Sequence, residues 1–296
     1  MVAGCRSSEG GGDGAAGSGG SSGSGGSGGS GGTGGSSGTT VKQLRMNPPG
    51  IGTSVSFSNV VVVGVVTSSR YGDVWVQDQG GGQWSGIHLF CNYGGRNPNC
   101  PMSRQQLEAI LLPMGAPPGI GKVVSVMGVY QPFTPMAPTG APTQLEIDRP
   151  MITDAGMTMA PVAIDVTSAM VEKSKYDTST DPYKGVYVRV TPGPLTISNL
   201  APLEAEGPCP IGDAGGMASF GIEVHDGAGN AIEVGLTFHK TMNKCVTGCF
   251  SCNAVNQLMT GQMFQSIAGI LEPDSNSNSN TKYLNLSPTV DNDWVQ

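Results

Sequence analysis

The residues best equipped for chemistry in this chain are its cysteines. Cys245, Cys249 and Cys252 form a C-x-x-x-C-x-x-C run, with Cys209 upstream and His239 shortly before it. Thiolates and an imidazole at such short spacings can hold zinc. The same four cysteines can instead pair as two disulfides, in any of three connectivities. Cys91 and Cys100 bracket a loop rich in Asn, Gly and Pro, and with no other cysteine nearby they are expected to bond to each other. With Cys5 set apart, the six cysteines Cys91, Cys100, Cys209, Cys245, Cys249 and Cys252 are an even set. In an exported chain an even set reads as disulfides, so no metal is expected.

Groups for acid–base or nucleophilic catalysis are sparse. The three histidines, His88, His225 and His239, lie in no H-x-x-x-H or Ser-Asp-His context, and no G-x-S-x-G elbow is present. His88 alternates with Ile87 and Leu89 and reads as a surface residue of a strand. Asp291 and Asp293 could offer carboxylate oxygens to calcium, but two acids of this kind read as solvated. The cysteine run resembles the iron–sulfur motif of radical S-adenosylmethionine enzymes. Those enzymes place it ahead of most of a barrel, whereas here the 44 residues after Cys252 read as strand and loop. No catalytic residue and no cofactor is therefore assigned, and the chain is read as non-enzymatic.

A binding surface is the better prospect. Arg70, Tyr71, Trp75 and Trp84 lie within one strand and its flanking turns, and aromatic rings so placed can stack on sugars or bases. Trp75 and Gln77 would share the face opposite Val74 and Val76; alternatively Trp75 packs under the cysteine-bracketed loop. The net charge of −7 and only 15 Lys plus Arg make duplex nucleic acid a poor ligand, since phosphate binding needs several cations on one face.

These groups must be positioned by β-structure. Val55 to Thr67, Val74 to Gln77, Val123 to Tyr130 and Val186 to Val190 carry strand signals, and Gly and Pro punctuate the chain at short intervals. One helix is predicted over Ser103 to Leu112, with Ser103 and Gln106 as a capping box and Leu107, Ile110 and Leu111 on one face. Three segments recur about 140 residues apart. Trp75-Val76-Gln77-Asp78 is echoed by Glu223-Val224-His225-Asp226, Lys122 to Tyr130 by Met263 to Leu271, and Leu145 to Pro150 by Tyr283 to Pro288. The repeat implies two copies of one domain.

Ahead of these copies, Gly10 to Thr40 contain 17 glycines among serines and threonines, too little apolar surface to offset backbone ordering. The segment is expected to be a disordered tether with a root-mean-square reach of roughly 30 Å. Before it stands Val2-Ala3-Gly4-Cys5, which resembles a bacterial lipoprotein lipobox but lacks the basic and apolar regions of a signal peptide. That resemblance implies acylation of Cys5 and membrane attachment through the lipid.

The Val-rich strand, the Gln-Asp strand end, Gly-Ile-His-Leu, Gly-Lys-Val-Val-Ser-Val-Met-Gly and Leu-Glu-Ile together resemble the OB-like domains of bacterial extracytoplasmic lipoproteins, of the kind that accompany secreted nucleases. The resemblance covers 55–155 and, more loosely, 184–294. It implies an all-β chain of two tandem OB-like β-barrels after the tether, with the linker at 1–40, barrel 1 at 41–170 and barrel 2 at 171–296. Gly128 and Gly269 would sit where strands bend. The expected role is a non-enzymatic cell-envelope lipoprotein at the outer membrane or cell surface, presenting the barrels to a protein or glycan. The alternatives are a module for oligosaccharide or single-stranded nucleic acid, and an accessory subunit of a secreted hydrolase or nuclease.

Overall fold

The computed structural model describes residues 39–67, 71–94, 98–112, 119–131, 145–172, 182–200, 221–235, 245–246, 257–276 and 281–296. The tether and Cys5 lie outside the described residues, as do Arg70, Cys209, His239, Cys249 and Cys252. From Gly38 onward the chain forms one compact unit.

Among the described residues it is an all-β fold of two large sheets and one short strand pair. The first is a closed barrel of β1 (Ser54–Thr67), β2 (Tyr71–Asp78), β3 (Gly86–Asn92), β4 (Lys122–Tyr130) and β5 (Glu146–Thr158), in the order β1-β2-β3-β5-β4. All neighbours are antiparallel except β3 and β5, which run parallel with His88 opposite Glu146. This five-stranded closure is the OB arrangement. Its interior is lined by alternate β-branched and aliphatic residues such as Val62, Val74, Val76, Leu89, Val124 and Ile147, all buried.

The second sheet comprises β6 (Ile164–Val166), β7 (Tyr187–Val190), β8 (Leu195–Asn199), β9 (Gly221–His225), β10 (Ala231–Gly235), β13 (Met263–Phe264), β14 (Ser266–Asn276), β15 (Thr281–Ser287) and β16 (Trp294–Val295). A separate parallel pair is formed by β11 (Cys245–Val246) and β12 (Gln257–Leu258). The order β8-β9-β10-β15-β14-β7 repeats that of the barrel if β7 and β8 together take the place of β1. The directions repeat too, because β10 and β15 are parallel while the other neighbours are antiparallel. The chain bends between β7 and β8 at Pro192 and Pro194, which lack amide donors for a continuous ladder.

The three echoed segments thus fall on equivalent strands: β2 with β9, β4 with β13 and β14, β5 with β15. Gly128 sits at a register shift between Met127 and Val129, where a Cβ would overlap Ile147. Gly269 occupies the matching position, where a Cβ would lie 2.7 Å from the backbone of Ser287. Both glycines allow the fourth strand to press against the fifth. The passage from one sheet to the other falls between Thr158 and Ile164.

Two helices flank the barrel. The predicted one is present as α2 (Arg104–Leu111), with Ser103 and Gln106 exchanging both capping-box hydrogen bonds and Leu107 and Leu111 buried. The other, α1 (Val41–Met46), was not expected. Thr40 and Gln43 cap it in the same way, and Val41 and Leu44 enter the barrel core. Its signature, Thr-x-x-Gln before an apolar residue, was legible at the end of the glycine run.

Candidate functional site

Period-two alternation assigns Val74 and Val76 to the barrel interior and leaves Asp73, Trp75 and Gln77 outside. The outer face is nevertheless buried: Asp73 and Gln77 are 0% exposed and Trp75 is 2% exposed. The second sheet covers it. Trp75 packs with Val63 and Ile270, with Val66 and Tyr187 at the margin. Gln77 donates from Nε2 to the carbonyl of Val162 at 3.1 Å, and its Oε1 accepts from the amide of Tyr187 at 3.3 Å.

His88 lies at the centre of this face. It is 3% exposed, which corrects the expectation of a surface histidine. Its Nε2 is 2.9 Å from Asp73 Oδ1 and its Nδ1 is 3.4 Å from Glu146 Oε2, the latter an ion-pair separation rather than a hydrogen bond. The three residues stand side by side because β3 pairs with β2 on one flank and with β5 on the other. Burial alone would lower the histidine pKa, but hydrogen bonding and the charges of Asp73 and Glu146 reverse this and push it up to about 10. Burial raises the Glu146 carboxyl, and His88 offsets part of that rise. The imidazolium is therefore the favoured form, and it serves to neutralise two carboxylates that have left water.

The rings beside it form a continuous ladder. Trp75 stacks on His88 at 4.7 Å between centroids, His88 is 6.2 Å from Phe90, and Phe90 stacks on Tyr71 at 5.7 Å. Phe90 and Tyr71 are half-buried, so the ladder runs from solvent into the contact between the sheets.

At the same contact, Asp78 accepts hydrogen bonds from the backbone amides of Val41 and Lys42, each at 3.0 Å, closing the N-terminus of α1. Arg45 then donates from Nη1 to the carbonyl of Gly86 on the barrel and to that of Lys184 beside the second sheet. Its guanidinium lies 5.2 Å from the Trp84 ring, a cation–π contact, and the Trp84 amide donates to Pro182. A Cβ at Gly86 would overlap the carbonyl oxygen of Gly185, which sits at φ +69°. Two glycines allow the backbones to touch here.

Of the four expected ligand-binding residues, then, the structure places Tyr71 at the open end of the ladder, Trp75 in the buried contact and Trp84 over Arg45; Arg70 lies outside the described residues. The rings do not make one exposed platform. Among the described residues, Trp75 is covered by the second sheet and not by those of the cysteine-bracketed loop. Cys91 and Cys100 are bonded to each other. Cys245 lies on β11, and the other cysteines of its run are outside the described residues. No cluster of metal-ligating groups is present among the described residues. Asp293 is not a solvated acid: its Oδ2 accepts from the amides of Thr289 and Val290, and Tyr187 donates to its Oδ1. In the second sheet, Glu223 and His225 pair with each other at 2.9 Å on the strand equivalent to β2.

No protein-family model matches the chain, and no curated protein matches it. Among solved structures it is similar to a replication protein A heterotrimer bound to single-stranded DNA, at 10% identity and a TM-score of 0.22 over 83% of this chain and 67% of that one. That likeness is too slight to bear on function.

The histidine cluster has a pH signature. Because the folded pKa lies above the unfolded value, the stabilisation from His88 is complete below about pH 6.5 and is lost as pH rises through about 10. Unfolding free energy from urea titrations should fall across that window, with a slope of at most about 1.4 kcal/mol per pH unit from this one proton. In His88→Gln the slope should flatten. An unchanged slope in the variant would show that His88 does not hold the proton.

Proposed function

We propose that this chain is a non-enzymatic, lipid-anchored protein of the cell envelope that holds two OB-like barrels on a flexible tether as a binding or assembly surface. The observation that carries this reading is a face of the barrel outside the contact between the sheets. Met127 on β4 stands directly opposite Met151 on β5 and Ser56 on β1, and all three are exposed. Ser54 and Thr153 extend the same uncharged strip. Flexible thioethers on a sheet face suit a protein partner, because they adapt their shape without exposing a charge to desolvation. The buried polar cluster supports the same reading, since its groups are spent on one another in holding the fold together.

Attachment rests on Val2-Ala3-Gly4-Cys5 and the glycine-rich segment after it. An acyl-modified Cys5 anchors the chain, and the tether gives the barrels roughly 30 Å of reach. Expressed with its native upstream coding region in a bacterial host, the wild-type chain should incorporate labelled palmitate and fractionate with membranes. Cys5→Ala should do neither. Absence of label on the wild type would remove the anchor.

A second reading, oligosaccharide or single-stranded nucleic acid as ligand, is favoured by the half-buried Tyr71–Phe90 pair, since stacked rings open to solvent at one end receive sugars and bases. On this reading Tyr71→Ala should weaken binding to a responsive glycan or oligonucleotide by about tenfold, in keeping with roughly 1–3 kcal/mol per stacked ring. Equal affinity of variant and wild type would remove the pair from any ligand site.

A further inference from the structure

The outer face of the second and third strands is the surface with which an OB barrel meets its ligands. Here that face carries the ring ladder, and the second sheet covers the ladder's inner half, His88 and Trp75. We propose that this is an autoinhibitory contact: the second sheet masks the ladder in cis, and α1 is the clasp that holds it closed. The proposal builds on the reading of the barrels as a binding module.

Three features point to a contact that can open. Its apolar part is small. Among the described residues, Val63, Trp75 and Ile270 form its buried apolar cluster, against 18 residues in the barrel core and 17 in the core of the second sheet. The remainder is polar: Gln77 bonds across to Val162 and Tyr187, Trp84 to Pro182, Gln83 to Tyr183 and Arg45 to Lys184. That mixture resembles an interface between mobile domains more than a shared core. The third feature is the clasp itself. A helix of six residues is too short to be stable alone, so α1 exists only while it is docked.

The docking of α1 ties both sides together. Asp78 of β2 holds its first amides, Val41 and Leu44 fill the barrel core, and Arg45 reaches carbonyls on either side of the contact. Undocking α1 removes the Arg45 bridge and the cover of Trp84 in one step. It also places control of the ladder at α1, which in sequence directly follows the glycine-rich segment.

Native-state hydrogen exchange on the full wild-type chain tests this without any ligand, so it can fail while the anchored-module reading stands. The amides of Leu44 and Asn47 report α1, those of Trp84 and Tyr187 report the contact, and that of Val126 reports the barrel core. The expected result is one shared opening of α1 and the contact, at least tenfold faster than exchange at Val126. In Arg45→Ala the contact amides should exchange about tenfold faster again, with Val126 unchanged. Exchange of Trp84 and Tyr187 at the rate of Val126 in the wild type would overturn the proposal. So would an Arg45→Ala chain in which α1 is released and the contact amides keep their protection.

Discussion

The structure depends on one constraint: the outer face of β2 and β3 is packed against a second sheet rather than against water. Once that face is dry, each polar group on it requires a partner, because an unpaired charge removed from solvent is costly. Asp73 and Glu146 are answered by His88, Gln77 by backbone from the other side, and the helix amides of α1 by Asp78. Close approach in turn requires glycine at 86, since a side chain there would hold the backbones apart, while Gly185 is favoured by its positive φ.

The barrel and the second sheet repeat one strand order but differ on this face. In the barrel, Trp75, His88 and Glu146 stand in one row across the second, third and fifth strands. The equivalent row of the second sheet is Glu223, Glu233 and Asn285. The cores carry a similar β-branched and aliphatic pattern in both copies, while the outer rows differ: an indole, an imidazole and a carboxyl group in one, two carboxyl groups and an amide in the other. One copy therefore contributes the ring ladder, and the other contributes Ile270 and Tyr187, which cover it.

Much of the fold was legible because it depends on local signals. Strand positions, the capped helix at Ser103, the equivalence of Gly128 and Gly269 and the Cys91–Cys100 bond each follow from spacing or residue type over a few positions. The candidate site was less legible. Alternation separates inside from outside within a strand, but it does not say whether the outside meets water or another sheet, so His88 reads as a surface residue and Trp75 as either an exposed ring or one packed under the cysteine-bracketed loop. The hint lay in Asp73, Trp75, Gln77 and His88 themselves, a mixture of opposite charges and a large ring on one face. Such a face can be self-satisfying when dry. The capping box of α1 stands in the sequence, but six residues carry too little apolar periodicity to mark a helix.

The central claim is that the two sheets are energetically coupled through Trp75 and Ile270. A double-mutant cycle with Trp75→Ala and Ile270→Ala, followed by urea unfolding, measures this directly. A coupling of about 1 kcal/mol or more is expected for side chains in contact. Strictly additive losses would mean that the two residues do not meet in solution, and the account of a barrel face buried by the second sheet would be contradicted.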